Sequence, residues 1–328
     1  MKILVTGCAG FIGFHFSKRL IKNDHTVIGI DNFNNYYDVN LKRDRCKILK
    51  QKKNFRFLKL DLVNKKKLQE LFDNERFDYV INLAAQAGVR YSLENPQAYI
   101  DSNINGFLNI LECCRHSDIK HLIFASSSSV YGMNKKKPFS ISDPTDYPIS
   151  LYATTKKSNE LMAFTYSHLF NIPCTGLRFF TVYGPFGRPD MAYFSFTKRI
   201  MEGKSIDVFN YGKMKRDFTY IDDIVVAMEK LLPKIPLHEY HPNTLAKAAY
   251  KIFNIGNNNP VTLDRFIKSI EEPLQIKAIK RHLEMQKGDV PETFADVEEL
   301  ENIIDFKPKM DIERGMERFI TWYREYYH

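Results

Sequence analysis

Three glycines at a three-residue spacing, Gly7, Gly10 and Gly13, constrain this chain more than any other feature. They follow the apolar run Lys2 to Thr6 and open a segment, Phe11 to Asn23, whose residues Phe11, Ile12, Phe16 and Leu20 have helical spacing. The first glycines permit a tight turn and a close approach of backbone to a pyrophosphate, and the third lets helix and strand pack closely. The helix N-terminus then presents N–H groups and positive partial charge to that anion. Asp31 ends a second apolar run, Thr26 to Asp31, 18 residues past Gly13, where a carboxylate can accept both ribose hydroxyls. An acid there repels a 2′-phosphate. Asn32 follows it with no adjacent arginine, so NAD is expected rather than NADP. Asp61 and Leu62 are placed to meet the adenine. Leu83, Ala84 and Ala85, after Asn82, offer small residues beside the cofactor. Gly7, Gly10, Phe11, Ile12, Gly13, Asp31, Asn32 and Asn103 complete the expected cofactor set.

The alternation continues through further apolar runs at Phe55 to Asp61, Tyr79 to Ala84, His121 to Ser126 and Pro173 to Phe179. Helical patterns separate them at Lys65–Asn74, Gln97–Cys114 and Ser150–Phe170. Such alternation gives right-handed βαβ units and an α/β fold, a Rossmann-type doubly wound parallel sheet, over 1–180. Beyond that, frequent prolines suggest a smaller, loop-rich C-terminal lobe, 181–328, that mainly binds substrate. The segments 218–235 and 250–264 are expected to return to the first domain. A chain of 328 residues is long enough for two lobes.

With 44% hydrophobic and 27% charged residues, the composition excludes a disordered chain. No apolar run reaches the roughly 18 residues of a membrane helix. The net charge of +9 lies in short, scattered lysine runs such as Lys65–Lys67 and Lys135–Lys137, without interleaved aromatics. It therefore argues for a solvated surface and no nucleic-acid partner. Five cysteines, an odd number without CxxC spacing, read as reduced thiols in a cytoplasmic protein with no metal site.

Tyr152 and Lys156 lie four apart in a helical pattern and so share one face. A phenol with an ordinary pKa near 10 is a poor base at neutral pH, and a cation within about 4–6 Å lowers that pKa. Lys156 is expected to supply that charge and to hold the nicotinamide ribose. A hydroxyl from the run Ser126-Ser127-Ser128-Ser129-Val130-Tyr131-Gly132, at the end of the fifth strand, can bond the same substrate oxygen. Open α/β sheets bind ligands at the carboxyl ends of their strands, where these elements fall.

TGxxGxxG, SSSSVYG and YxxxK in this order resemble the extended short-chain dehydrogenase/reductase family. Within it the chain is most similar to nucleotide-sugar 4-epimerases that act on UDP-glucuronate. Segments carrying that likeness run from Asp31 to Asp38, Ala85 to Ser92, Leu177 to Ala192 and Arg216 to Asp223. The resemblance implies that tightly held NAD takes the C4 hydride, the 4-keto sugar turns over, and the hydride returns to the other face. It implies Tyr152 as acid/base, Ser127 as its partner and Lys156 as the group that tunes it. Arg216 would neutralise UDP phosphate. Gln286 stands where related hexose epimerases carry arginine, so fewer phosphate charges are expected around Gln286 and Asp289, with Lys287 in compensation.

Related 4,6-dehydratases carry an Asp-Glu pair where Ser128-Ser129 stand, and UDP-glucuronate decarboxylases carry Glu at the Ser129 position. Neither residue here can ionise usefully, so elimination is unsupported. Oxidising C4 beside a C5 carboxylate makes a β-keto acid, which loses CO2 fastest when the breaking bond is perpendicular to the carbonyl plane. A carboxylate clamp is therefore expected, formed by Arg188 with Ser129 and Thr181; a bidentate arginine fixes a plane as well as a charge. Arg90 is expected to reach phosphate or carboxylate. The alternatives are a 4-epimerase of neutral UDP-hexoses and a non-catalytic NAD-binding regulator. Apolar faces on Gln97–Cys114 and Ser150–Phe170 suggest a homodimer.

Overall fold

The computed structural model describes residues 1–242, 244–285 and 292–328. Strands β1 (Lys2–Thr6), β2 (Thr26–Asp31), β3 (Phe55–Lys59), β4 (Tyr79–Asn82), β5 (His121–Ser127) and β6 (Cys174–Phe179) join Tyr250–Ile255 in one seven-stranded parallel sheet. Its order is Tyr250–Ile255, β6, β5, β4, β1, β2, β3. Chain direction reverses its walk across the sheet at β1, beside β4, which opens a crevice above their carboxyl ends. Helices cover both faces, which is why β1, β4, β5 and β6 read as near-continuous apolar runs. The sheet is the Rossmann-type fold expected.

Helix α1 (Phe11–Lys22) packs against the helix Ile221–Leu231, and Arg19 pairs with Glu229 across that contact at 2.5 Å. Helix α2 (Val39–Lys50), between β2 and β3, was not apparent in the sequence: its lysines and arginines mask a narrow buried stripe of Leu41, Lys42, Arg45, Cys46 and Leu49. The Asp38 carboxylate caps it by accepting the Asn40 N–H. Helix α3 spans Lys65–Asn74, as its spacing suggested.

The pattern expected as one helix over Gln97–Cys114 is in fact three pieces. An α-turn at Pro96–Tyr99 leads into a π-helix at Ile100–Asn105, followed by an α-helix at Gly106–Arg115. The wide turn shifts the register of the inward face and carries Asn103 to the sheet's catalytic edge; such insertions are frequent at functional sites. The long helix Leu151–Phe170 has Ser150 as its cap, whose hydroxyl accepts the Ala153 N–H.

Residues beyond 180 are more regular than their prolines suggested. Lys215–Tyr220 pairs with Thr181–Tyr183, Pro260–Thr262 and Glu292–Thr293, and Ile206–Phe209 pairs with Lys280–Leu283. Helices Ala192–Met201, Leu263–Leu274 and Ile312–Tyr327 enclose an aromatic core that includes Tyr193, Phe194, Phe266, Phe319 and Trp322. Among the described residues no helix is long and apolar enough to cross a membrane.

Candidate active site

A cavity of about 1030 Å³ runs from the glycine turn to the C-terminal half. At one end the backbone is crowded. Gly7 has φ +69°, and a Cβ there would lie 2.8 Å from the Ala84 nitrogen. A Cβ on Gly13 would meet the Gly7 carbonyl oxygen at 2.1 Å. These glycines seat the first turn of α1 against β1 and β4, and Gly10, Phe11, Ile12 and Gly13 open onto the cavity. Thr6 Oγ1 ties the two strand ends together, donating to Asn82 Oδ1 at 2.7 Å and accepting the Ala84 N–H at 3.0 Å.

Asp31 sits at the tip of β2. Its carboxylate accepts the N–H groups of Ala9 at 3.1 Å and Phe33 at 2.8 Å. Burial raises its pKa, against the opposing pull of Phe33 N–H and nearby Lys42. Asn32 donates to Asp61 Oδ2 at 2.8 Å, so these two predicted residues form one unit beside Leu62. Leu83, Ala84 and Ala85 line the wall opposite. The narrow glycine cradle, helix N-terminus and acid at the second strand tip fit a dinucleotide.

Asn103 departs from expectation. It is buried beneath the cavity wall rather than lining it. Its side chain accepts the Gln86 N–H at 2.8 Å, donates to the Gln86 carbonyl at 3.0 Å and donates to Thr155 Oγ1 at 3.0 Å. It braces the segment after β4 against the helix Leu151–Phe170, a role created by the π-helix.

Ser127 ends β5 and caps the 3₁₀ turn Ser128–Tyr131: its hydroxyl accepts the Ser129 N–H and contacts Ser129 Oγ at 3.1 Å. Tyr152 and Lys156 face it from the first turns of Leu151–Phe170. Burial pushes the Tyr152 phenol up, while the Ser127 hydroxyl and the Arg188 charge pull it down. Lys156 is not the cation that acts on it here; its ammonium donates to the Ala125 carbonyl at 2.8 Å. Burial brings Lys156 down to about 8. Behind them, Glu160 on the same helix forms a buried two-bond pair with Arg178 of β6, both at 2.8 Å, and accepts from Ser126 Oγ.

Ser128, Ser129, Thr181, Arg90, Arg188 and Arg216 line the rest of the cavity. Arg90 lies with its guanidinium 5.8 Å from the centre of the Phe209 ring. Arg216 donates to the Lys215 carbonyl at 2.9 Å. Arg188 forms a bidentate pair with Asp190. Gln286 and Asp289 lie outside the described residues.

The loop carrying Arg188 hangs from the nucleotide side. The fully buried Arg45 of α2 donates to the carbonyls of Ala9 at 2.8 Å, Phe186 at 2.7 Å and Gly187 at 3.1 Å. Phe186 holds the left-handed φ of +55°. Burial pushes His15 down to about 3, so its neutral ring donates to the Pro185 carbonyl at 2.8 Å.

Several lining residues were passed over in the sequence, among them Asn34, Tyr36, Lys42 and Asp190. Lys42 donates to the Asn34 carbonyl at 2.7 Å and to its side-chain oxygen. Tyr36 donates to Asp190 at 3.2 Å. The polar run following Asp31, at a strand's carboxyl end, was the available signal for Asn34 and Tyr36.

A family model described as NAD dependent epimerase/dehydratase family matches residues 3–256. Protein CapI of Staphylococcus aureus is 58% identical over 334 residues, covering 100% of this chain and 99% of that protein. UDP-glucuronate 4-epimerase 1 of Arabidopsis thaliana is 48% identical over 333 residues, covering 100% of this chain and 77% of its own. The crystal structure of UDP-glucuronic acid 4-epimerase from Bacillus cereus, in complex with UDP-glucuronic acid and NAD, superposes with a TM-score of 0.89 at 33% identity, covering 100% of both chains.

Proposed function

Because the chain belongs to the NAD dependent epimerase/dehydratase family, we propose that it is a UDP-glucuronate 4-epimerase, interconverting UDP-glucuronate and UDP-galacturonate. The observation that carries this reading is one cavity in which Ser127, Tyr152 and Lys156 stand between a dinucleotide cradle and Arg188. Relatives and a structural neighbour bearing that activity support it.

NAD would be held by Gly7, Gly10, Phe11, Ile12, Gly13, Asp31, Asn32, Asp61, Leu62 and Leu83 to Ala85, and when bound it supplies the hydride acceptor and donor at C4. Tyr152 takes the O4 proton and later returns it. The Ser127 hydroxyl holds O4 within reach of that phenol through both halves of the reaction. Lys156, whose ammonium rests on the Ala125 carbonyl, would turn to the ribose and from there add its charge in favour of the phenolate. Arg90 and Arg216 hold the diphosphate. Arg188, with Ser129 and Thr181, grips the C5 carboxylate, and the hydroxyls of Ser128 and Ser129 offer no acid or base for elimination. Residues 181–328 mainly form the UDP-sugar lobe, with 218–235 and 250–264 belonging to the NAD domain.

A second reading, epimerisation of neutral UDP-hexoses, is favoured by one fact: Arg188 is already paired with Asp190, so a neutral C6 group leaves no cation bare. Exposed Leu108 and Leu161, on Gly106–Arg115 and Leu151–Phe170, support a homodimer through these helices. The five buried cysteines suit a reducing cytoplasm. Proton NMR of the protein with NAD+ and each UDP-sugar tests the assignment. Growth of UDP-galacturonate from UDP-glucuronate to a stable mixture is the expected result. Inertness toward UDP-glucuronate with turnover of UDP-glucose moves the assignment to the second reading, and a UDP-pentose formed in place of UDP-galacturonate by the wild type overturns the epimerase.

A further inference from the structure

Arg188 does not meet the cavity alone. Asp190 accepts its Nε–H on Oδ1 at 3.1 Å and its Nη2–H on Oδ2 at 2.5 Å. Tyr36, from the loop after β2, donates its hydroxyl to the same Oδ2 at 3.2 Å. All three residues line the cavity. A guanidinium carries five N–H donors in one plane. The pair with Asp190 occupies the Nε side of that fork and leaves the Nη1 edge for another oxygen pair. Two parallel bonds also fix the guanidinium plane. Burial would raise the Asp190 carboxyl, but the Arg188 charge and bonds, with Tyr36, hold it below its ordinary value. Arg188 therefore enters the cavity already oriented and largely neutralised.

We infer that Asp190 is a positioning residue that sets the plane of Arg188, with Tyr36 as its brace, so that the sugar carboxylate is held for geometry more than for net charge. This rests on the UDP-glucuronate reading. Once C4 has been oxidised at the expense of bound NAD, the substrate is a β-keto acid. Its decarboxylation breaks the C5–C6 bond, sends the bonding pair into the C4 carbonyl as an enolate, releases CO2 and returns a proton to C5, leaving a UDP-4-keto-pentose and reduced NAD. A fixed guanidinium plane resists the rotation that brings C5–C6 perpendicular to the carbonyl. A second carboxylate beside the bound anion meanwhile costs affinity. Removing the Asp190 charge should thus move binding and product fate in opposite senses.

The test uses UDP-glucuronate isotopically labelled at C6, with NAD+ and wild type, Asp190→Asn, Asp190→Glu and Tyr36→Phe. Labelled CO2 and UDP-4-keto-pentose are counted against UDP-galacturonate, and KM is measured for each protein. Asp190→Asn lowers KM and raises the share of turnovers ending in CO2 about fivefold, the scale of one ordinary hydrogen bond. Asp190→Glu restores most of the wild-type partition, and Tyr36→Phe shifts it in the same sense as Asp190→Asn by less. An unchanged partition in Asp190→Asn, or a raised KM with lowered kcat at the same partition, overturns the inference and leaves the pair a structural tie. Should Asp190→Asn not fold, Tyr36→Phe decides by the same partition. Wild type that makes no UDP-galacturonate removes the underlying reading, whereas wild type that epimerises alongside variants with its own partition removes only this inference.

Discussion

The two walls of the cavity are built from different materials. The dinucleotide wall is backbone: glycines without room for a Cβ, a helix N-terminus and strand ends locked by Thr6 and Asn82. The wall assigned above to the sugar is side chain: Arg90, Arg188, Arg216, Tyr36 and Asp190, delivered by three loops and the strand Lys215–Tyr220. A backbone wall tolerates almost no substitution because any added atom meets main chain. A side-chain wall can be rewritten residue by residue while the fold stays. The family's shared cofactor and varied sugars fit that division.

Substitutions that strike one wall and spare the other probe the contrast. Tyr152→Phe removes one proton carrier between them; kcat should fall on the order of 10³-fold, with thermal stability and NAD binding, read by calorimetry, near wild type. Equal losses in NAD binding would mean the phenol belongs to the cofactor wall. Gly13→Ala strikes the backbone wall, where the new Cβ would stand 2.1 Å from the Gly7 oxygen. It should cost about 3 kcal/mol or more in denaturant unfolding and abolish NAD binding.

Lys156 gives a pH signature. Its folded pKa of about 8 lies below the ordinary lysine value of 10.5, so the unfolded chain binds the extra proton between those values. Stability from this group is therefore lowest below pH 8 and rises up to about 10.5. In ligand-free protein, wild type should gain on the order of 3 kcal/mol relative to Lys156→Met across that window, read as a rise in wild-type Tm relative to that of the variant. A constant difference would show that the ammonium is not desolvated. Arg188→Ala, on the side-chain wall, should change stability by about 1 kcal/mol or less yet weaken UDP-glucuronate binding and release a UDP-pentose. Normal binding with no pentose product would end its role as clamp.

The same division governs what was legible in the chain. Gly7, Gly10, Gly13 and Asp31 sit in one short stretch whose spacing encodes their task, and Tyr152 with Lys156 is a helical repeat. The seven-stranded sheet follows from apolar runs buried on both faces. What escaped depends on distance. Nothing local ties Tyr36 to Asp190, 154 positions apart, or α2 to the loop it supports. Nothing in the sequence marks the π-helix that holds Asn103, whose side chain bonds Gln86 and Thr155. Among the prolines beyond 180, Pro273 falls in the last turn of Leu263–Leu274 and does not break that helix.

Arg45 gives the two walls a common mount. One guanidinium holds Ala9 of the glycine turn and both carbonyls ahead of Arg188. On the proposed reading of Arg188, specificity for an acidic sugar is thus not a portable residue. Transplanting Arg188 into a cousin scaffold without a buried cation at the position of Arg45 would move the charge but not its pose. The unit to graft is the whole hanger: α2 with Arg45, the left-handed Phe186, and the neutral His15 that steadies Pro185.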